Sequence, residues 1–120
     1  MKKILMILVI GVLMTSCKKE TTYTLKWNAK GVSEITTDVI IMEFSTDNEV
    51  VKNNAISNIQ NGSEYSYTAD EMARKCKIYL TWSYQGSSTT RWVKQVFYLK
   101  EGENTEIVVD DNTMVGTTEP

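Results

Sequence analysis

The chain has 120 residues, with 13 Lys and Arg against 15 Asp and Glu, no histidine and two cysteines. A chain of this size builds one domain around one core and has no mass for a second. Its basic residues cluster only at Lys2-Lys3, Lys18-Lys19 and Arg74-Lys75-Lys77, which excludes nucleic-acid binding of the kind that sets a run of Lys and Arg against phosphates.

Lys2 and Lys3 precede an apolar run of 11 residues, Ile4 to Met14, followed by Thr15, Ser16 and Cys17. A basic start, a short apolar stretch and small residues before a cleavage point are the three parts of an export signal. A membrane-spanning helix needs roughly 20 apolar residues, so the run predicts a cleaved signal and not a permanent span. Met14-Thr15-Ser16-Cys17 resembles the lipobox of bacterial lipoproteins, with Met14 where Leu is commoner. The resemblance implies that the Cys17 thiol is diacylated, that the bond before it is cut, and that the new amino terminus receives a third chain. Two such membrane signals suffice for stable anchoring, each buried methylene contributing about 0.8 kcal/mol.

Residues 1–16 are thus expected as signal peptide and 17–22 as a lipidated tether. Removing the signal takes Lys2 and Lys3 and no acid, which leaves 104 residues with 11 basic and 15 acidic groups, a net charge of −4. An alkylated Cys17 cannot form a disulfide, so Cys76 stands alone. It lies in a β-branched and aromatic segment with no histidine in the chain to act as its base, and reads as a small buried hydrophobe.

From residue 23 to 116 the signals are those of strands, with 117–120 expected as a flexible tail. Tyr23, Leu25 and Trp27 alternate with Thr24 and Lys26, the period of a half-buried strand. Val39 to Met42 is a continuous apolar run inside Thr37–Phe44 and predicts a central strand, closed by turn chemistry at Ser45-Thr46-Asp47-Asn48. Val50-Val51, Ile56 and Ile59 mark weaker strands that Asn53-Asn54 is expected to interrupt. Asn61-Gly62 is a preferred pair for a type I′ hairpin turn, with Glu64–Thr68 as the returning strand. Asp70 could cap one helical turn to Lys75, with Met72 or Ala73 facing the core.

The clearest hairpin lies between Cys76 and Leu99. Residue parity puts Cys76, Ile78, Leu80, Trp82 and Tyr84 on one face, and Lys77, Tyr79, Thr81 and Ser83 on the other. A turn centred on Gly86-Ser87 pairs Trp82 with Arg91, Leu80 with Val93, Ile78 with Gln95 and Cys76 with Phe97, gathering apolar residues on one face. Arg91 over Trp82 would add a cation–π contact of roughly 0.5–1 kcal/mol. A turn at Lys100-Glu101-Gly102-Glu103 precedes a last long strand, Glu106–Asp110, and a short one follows at Met114-Val115. Seven strands at these spacings predict an all-β fold, an antiparallel two-sheet sandwich of immunoglobulin-like or transthyretin-like type.

The stretch from Trp92 to Ile107, in which an apolar strand ends in Leu99 and is followed by Lys100-Glu101-Gly102-Glu103-Asn104, resembles the closing strands of immunoglobulin-like modules. The paired cysteines of an antibody domain are absent. Together with the lipobox and the Lys-rich start, the chain is similar to small lipoproteins of the Bacteroides group. That resemblance implies an outer-membrane lipoprotein facing either the periplasm or the exterior; Lys18-Lys19-Glu20-Thr21 matches the surface-export pattern of that group only in part.

No catalytic residue, metal site or cofactor is expected. Acid–base chemistry would need His or paired carboxylates, and Asp47/Glu49, Glu101/Glu103 and Asp110/Asp111 all fall at predicted turns, as solvated charge does. Zinc is poorly served by one thiol and no imidazole, and the Asp110-Asp111-Asn112 run lacks the spacing of a calcium loop. Binding fits better. Trp92, Tyr79, Lys94 and Tyr98 share the outward face of the hairpin and are the expected partner or sugar-binding face. Two functions follow: a lipid-anchored interaction module accessory to an envelope assembly, or a carbohydrate-binding lipoprotein.

Overall fold

A computed structural model describes residues 19–120; the expected signal peptide and Cys17 lie outside the described residues. Among the described residues nine strands run in chain order: β1 Thr22–Asn28, β2 Thr36–Phe44, β3 Val50–Ile56, β4 Ser63–Thr68, β5 Lys75–Tyr84, β6 Ser87–Val93, β7 Phe97–Tyr98, β8 Asn104–Asp110 and β9 Val115–Gly116. They form two sheets, one of three strands in the order β4-β1-β8, the other of six with the path β3-β2-β5-β6-β9 and β7 beside β5. The fold is an all-β two-sheet sandwich, with the two sheets burying one face of each strand against the other.

The core follows the alternation of the strands. Tyr23, Leu25, Trp27, Ile107 and Val109 from the smaller sheet meet Val39, Ile41, Cys76, Ile78, Leu80 and Val93 from the larger. Each fully buried aliphatic side chain contributes about 1.5–3 kcal/mol relative to exposure. A single substitution such as Leu25→Ala, at a residue with no exposed surface, removes both the transfer term and the filled volume.

The architecture departs from the expectation in several places. The sandwich is not wholly antiparallel, because β1 pairs with β8 in parallel, Tyr23 opposite Thr105 and Leu25 opposite Ile107. β3 runs unbroken through Asn53-Asn54, since Asn54 faces inward and finds hydrogen-bond partners there. The Asn61-Gly62 turn does not close a hairpin. Only Gly62 has positive φ, at 86°, and the turn carries the chain from β3 in one sheet to β4 in the other, where β4 pairs with β1. Asp70–Lys75 holds no helix; Asp70 Oδ1 accepts the Met72 N–H at 2.9 Å and the buried side chain is that of Ala73.

The β5–β6 hairpin has the predicted faces and a shifted register. Gln85 and Gly86 take φ of 46° and 82°, the two positive values of a type I′ turn, so Tyr84 pairs with Ser87, Trp82 with Thr89 and Leu80 with Arg91. The loop is centred one residue earlier than Gly86-Ser87, which slides the pairing by two positions and keeps each residue on its face. The expected Arg91–Trp82 stack is therefore lost. The cation–π contact that forms is Lys77 Nζ over Phe44, 4.7 Å from the ring centre. Beyond Val93 the chain bulges, and Cys76 pairs with Phe97 as expected.

Both ends of the domain are tied in. The Thr21 carbonyl accepts the Ala69 N–H at 2.8 Å and its hydroxyl accepts the Gly102 N–H at 3.0 Å, so the fold takes in the end of the tether. The segment expected as a flexible tail crosses the outer face of the larger sheet, where Lys94 Nζ donates to the Thr118 carbonyl and hydroxyl and Lys77 Nζ pairs with Glu119 at 2.8 Å.

Candidate binding site

The two ends of the sandwich are built differently. At one end Glu43, which follows Thr37, Val39 and Ile41 on the inward face of β2, has no exposed surface. Its Oε2 accepts the Tyr23 hydroxyl at 2.6 Å and the Asn54 amide at 3.0 Å, and its Oε1 accepts the Asp70 N–H at 2.7 Å. Asn54 also donates to the Tyr23 oxygen at 2.5 Å. Three donors from three elements close this end without a cation, as a buried carboxyl group requires. Burial first, and then the bond to Glu43, holds the Tyr23 phenol far above its ordinary range. Burial, with a further contribution from the Glu43 charge, pushes the Cys76 thiol up to about 12. Cys76 is thus an inert core residue and not a nucleophile.

At the other end the sheets part. Trp27, Ile59, Leu80 and Val109 form the floor of a cleft of about 970 Å³, within the size range of ligand sites. Trp82 and Thr89 on the larger sheet make one wall, and the 29–35 loop and Asp110-Asp111 make another. Val32, Tyr84 and Val115 line the rim with 68%, 44% and 38% of their surfaces exposed. Exposed apolar groups around a recess are the usual mark of an interaction site. Asn58, Gln60 and Asn61 add amides, while Glu34, Asp110 and Asp111 outnumber the one cation, Lys30. The Lys30 N–H donates to Asp111 Oδ1 at 3.0 Å, which fixes the loop against the β8 end. Glu34 and Asn58, two rim residues, hold left-handed backbone conformations, and Asn58 is kept there by its N–H bond to Asp38 Oδ1 at 2.8 Å.

The residues expected to form a binding face lie together only in part. Tyr79 and Trp92 are direct cross-strand partners on the outer face of the larger sheet, with ring centres 4.8 Å apart at 57°. Both are half-buried. The Lys94 ammonium is occupied by Thr118, and its aliphatic stem packs over Gly116, where an added Cβ would stand 2.8 Å from Lys94 Cδ. Tyr98 is 69% exposed but pairs with Lys75, four positions along β5 from Tyr79, roughly 13 Å away at strand rise. The structure thus assembles a Tyr79–Trp92 pair flanked by a tied lysine, not a four-residue platform.

Residue parity did place Trp82 and Tyr84 on the inner face; what it could not show is that the opposing sheet stops short of them. Glu43 carried a readable signal, an acid at an inward position of an apolar strand. Among the described residues no cluster of three or more His, Cys, Asp or Glu is placed to hold a metal. Comparison with protein-family models, curated proteins and solved structures finds no match.

Proposed function

We propose that the chain is a lipid-anchored binding module of a bacterial cell envelope, acting by contact with a partner and not by catalysis. The single observation that carries the binding half is the open end of the sandwich. A cleft of about 970 Å³ with an aromatic and aliphatic floor is rimmed by exposed Val32, Tyr84 and Val115, while the opposite end is closed by its own hydrogen bonds. The anchoring half rests on Lys2-Lys3, the apolar run and Met14-Thr15-Ser16-Cys17. In this reading the acyl chains on Cys17 hold the domain at the outer membrane, and the cleft engages another envelope component.

The anchor is tested by Cys17→Ser. The variant is expected to leave the membrane fraction or to accumulate as an unprocessed precursor; normal processing with unchanged membrane association would remove the lipoprotein reading. A saccharide ligand is the second reading, favoured by the amides of Asn58, Gln60 and Asn61 beside Trp82 and Tyr84. Aromatic faces stack on sugar rings while amides and hydroxyls meet their oxygens. Tryptophan emission that responds to soluble glycans would select it over a protein partner.

A further inference from the structure

Among the described residues β4 and β8 end the smaller sheet and β3 ends one side of the larger, and each of these three edges carries a charge. β3 has Lys52, whose ammonium reaches the Thr68 carbonyl at 3.0 Å; β4 has Glu64; β8 has Glu106, and the last two share Lys26. Charged side chains on edges discourage the pairing of another chain. On the other side of the larger sheet β6 is open along most of its length, with Arg91 as its one charge. Its partner β9 covers only Trp92 and Val93, so among the described residues Ser87–Arg91 has β5 on one side and no strand on the other. Ser87-Ser88-Thr89-Thr90 is exposed, uncharged and free of proline.

The backbone groups on that open side can be named. The Lys94 N–H donates to the Met114 carbonyl at 2.9 Å across the β6–β9 side. Antiparallel ladders alternate, so Trp92, Thr90 and Ser88 direct their N–H and C=O the same way. The residues between them, including Ser87 as the closing pair of the two-residue turn, face β5. Trp92 is met by Gly116, whereas Ser88 and Thr90 are met by no strand; the Arg91 guanidinium folds back onto the Thr90 carbonyl at 2.7 Å. Continuing the β9 register would bring residues 117–120 along this edge. The chain instead turns away, with Thr118 held by Lys94 and Glu119 by Lys77.

The open edge is also a wall of the cleft. Thr37, Trp82 and Thr89 form one cross-strand row on the inner face, and all three line the cleft. A strand added beside β6 would extend that row by one residue over the floor of Trp27 and Leu80. A second copy paired about a two-fold axis at Thr89 would place only a threonine there and leave the cleft unfilled. A foreign segment with a bulky apolar residue at that position fills it, and Glu34, Asp110 and Asp111 against Lys30 favour a basic neighbour.

We propose that an extended segment of a partner protein adds as a strand along Ser87–Arg91, bonding to the backbone of Ser88 and Thr90, with one apolar side chain in the cleft and a Lys or Arg beside it. Main-chain bonds then supply affinity and the cleft supplies selectivity. This rests on the interaction-module reading.

The test uses the purified chain and a displayed library of random linear peptides as probe. Enriched peptides should alternate apolar residues with Lys or Arg, and bound peptide should slow hydrogen exchange at the Ser88 and Thr90 amides. Thr90→Pro removes an edge N–H without touching the β5 pairing, and should weaken peptide binding about tenfold or more. No enrichment, protection elsewhere, or equal binding by Thr90→Pro overturns the proposal. If that variant fails to fold, exchange on the unaltered chain still decides. An envelope partner that crosslinks equally to wild-type and Thr90→Pro chains overturns strand addition and leaves the interaction module standing; no crosslink from either removes both.

Discussion

The same strands build two opposite ends, and only one of them is finished. β1 contributes Tyr23 to the closed end and Trp27 to the open one; β5 contributes Cys76 to the first and Leu80 and Trp82 to the second. At the closed end a carboxyl group meets three donors, and the 69–74 segment lies over it through the Asp70 N–H. At the open end the floor is apolar, the rim exposes three large apolar residues, and no backbone closes over them. Self-satisfied polar groups mark where a sandwich keeps itself together, while uncovered apolar groups mark where it awaits something else.

The largest effect should come from breaking the closed end. Glu43→Ala strands the Tyr23 hydroxyl, the Asn54 amide and the Asp70 N–H and leaves a void, which should cost about 3 kcal/mol or more of unfolding free energy. Urea denaturation measures it, and a loss under about 1 kcal/mol would show that the network is not what closes this end.

A smaller and reversible effect is alkaline. Cys76 and Tyr23 both have folded pKa values above their unfolded ones, so the folded state holds their protons longer. Their contribution is complete below the unfolded thiol value near 9.0 and is lost as pH rises, for Cys76 over the range up to about 12. Stability should fall by roughly 1.4 kcal/mol per pH unit from Cys76 alone, and more steeply once the unfolded tyrosine ionises. Cys76→Ala should flatten the slope between pH 9 and 10. An unchanged slope would mean that the thiol is not held protonated.

Much of this contrast was legible in the sequence. Parity gave the inward faces of β1 and β5, turn chemistry gave the break at Ser45–Asn48, and the turn expected at Lys100–Glu103 is there, with Gly102 at a φ of 73°. Long-range pairing was not legible. Nothing local to Thr22–Asn28 and Asn104–Asp110 says that they lie parallel, because the short turn that fixes a hairpin has no counterpart between strands at opposite ends of the domain. The site was missed for the same reason. Trp82 and Tyr84 have the parity of core residues, and only the length of the opposing sheet decides whether an inward aromatic is covered.

The proposed binding belongs to the open end of the sandwich. Tyr84 on its rim and Val108 on the outer face of the smaller sheet have nearly equal exposure, 44% and 42%, so they differ in place and not in access. Photoreactive benzoylphenylalanine at position 84 or 108 leaves the closed end untouched, and irradiation of intact envelopes compares the two directly. A discrete adduct from position 84 and none from 108 is the predicted result; equal yields from both positions, or an adduct from 108 alone, would contradict it.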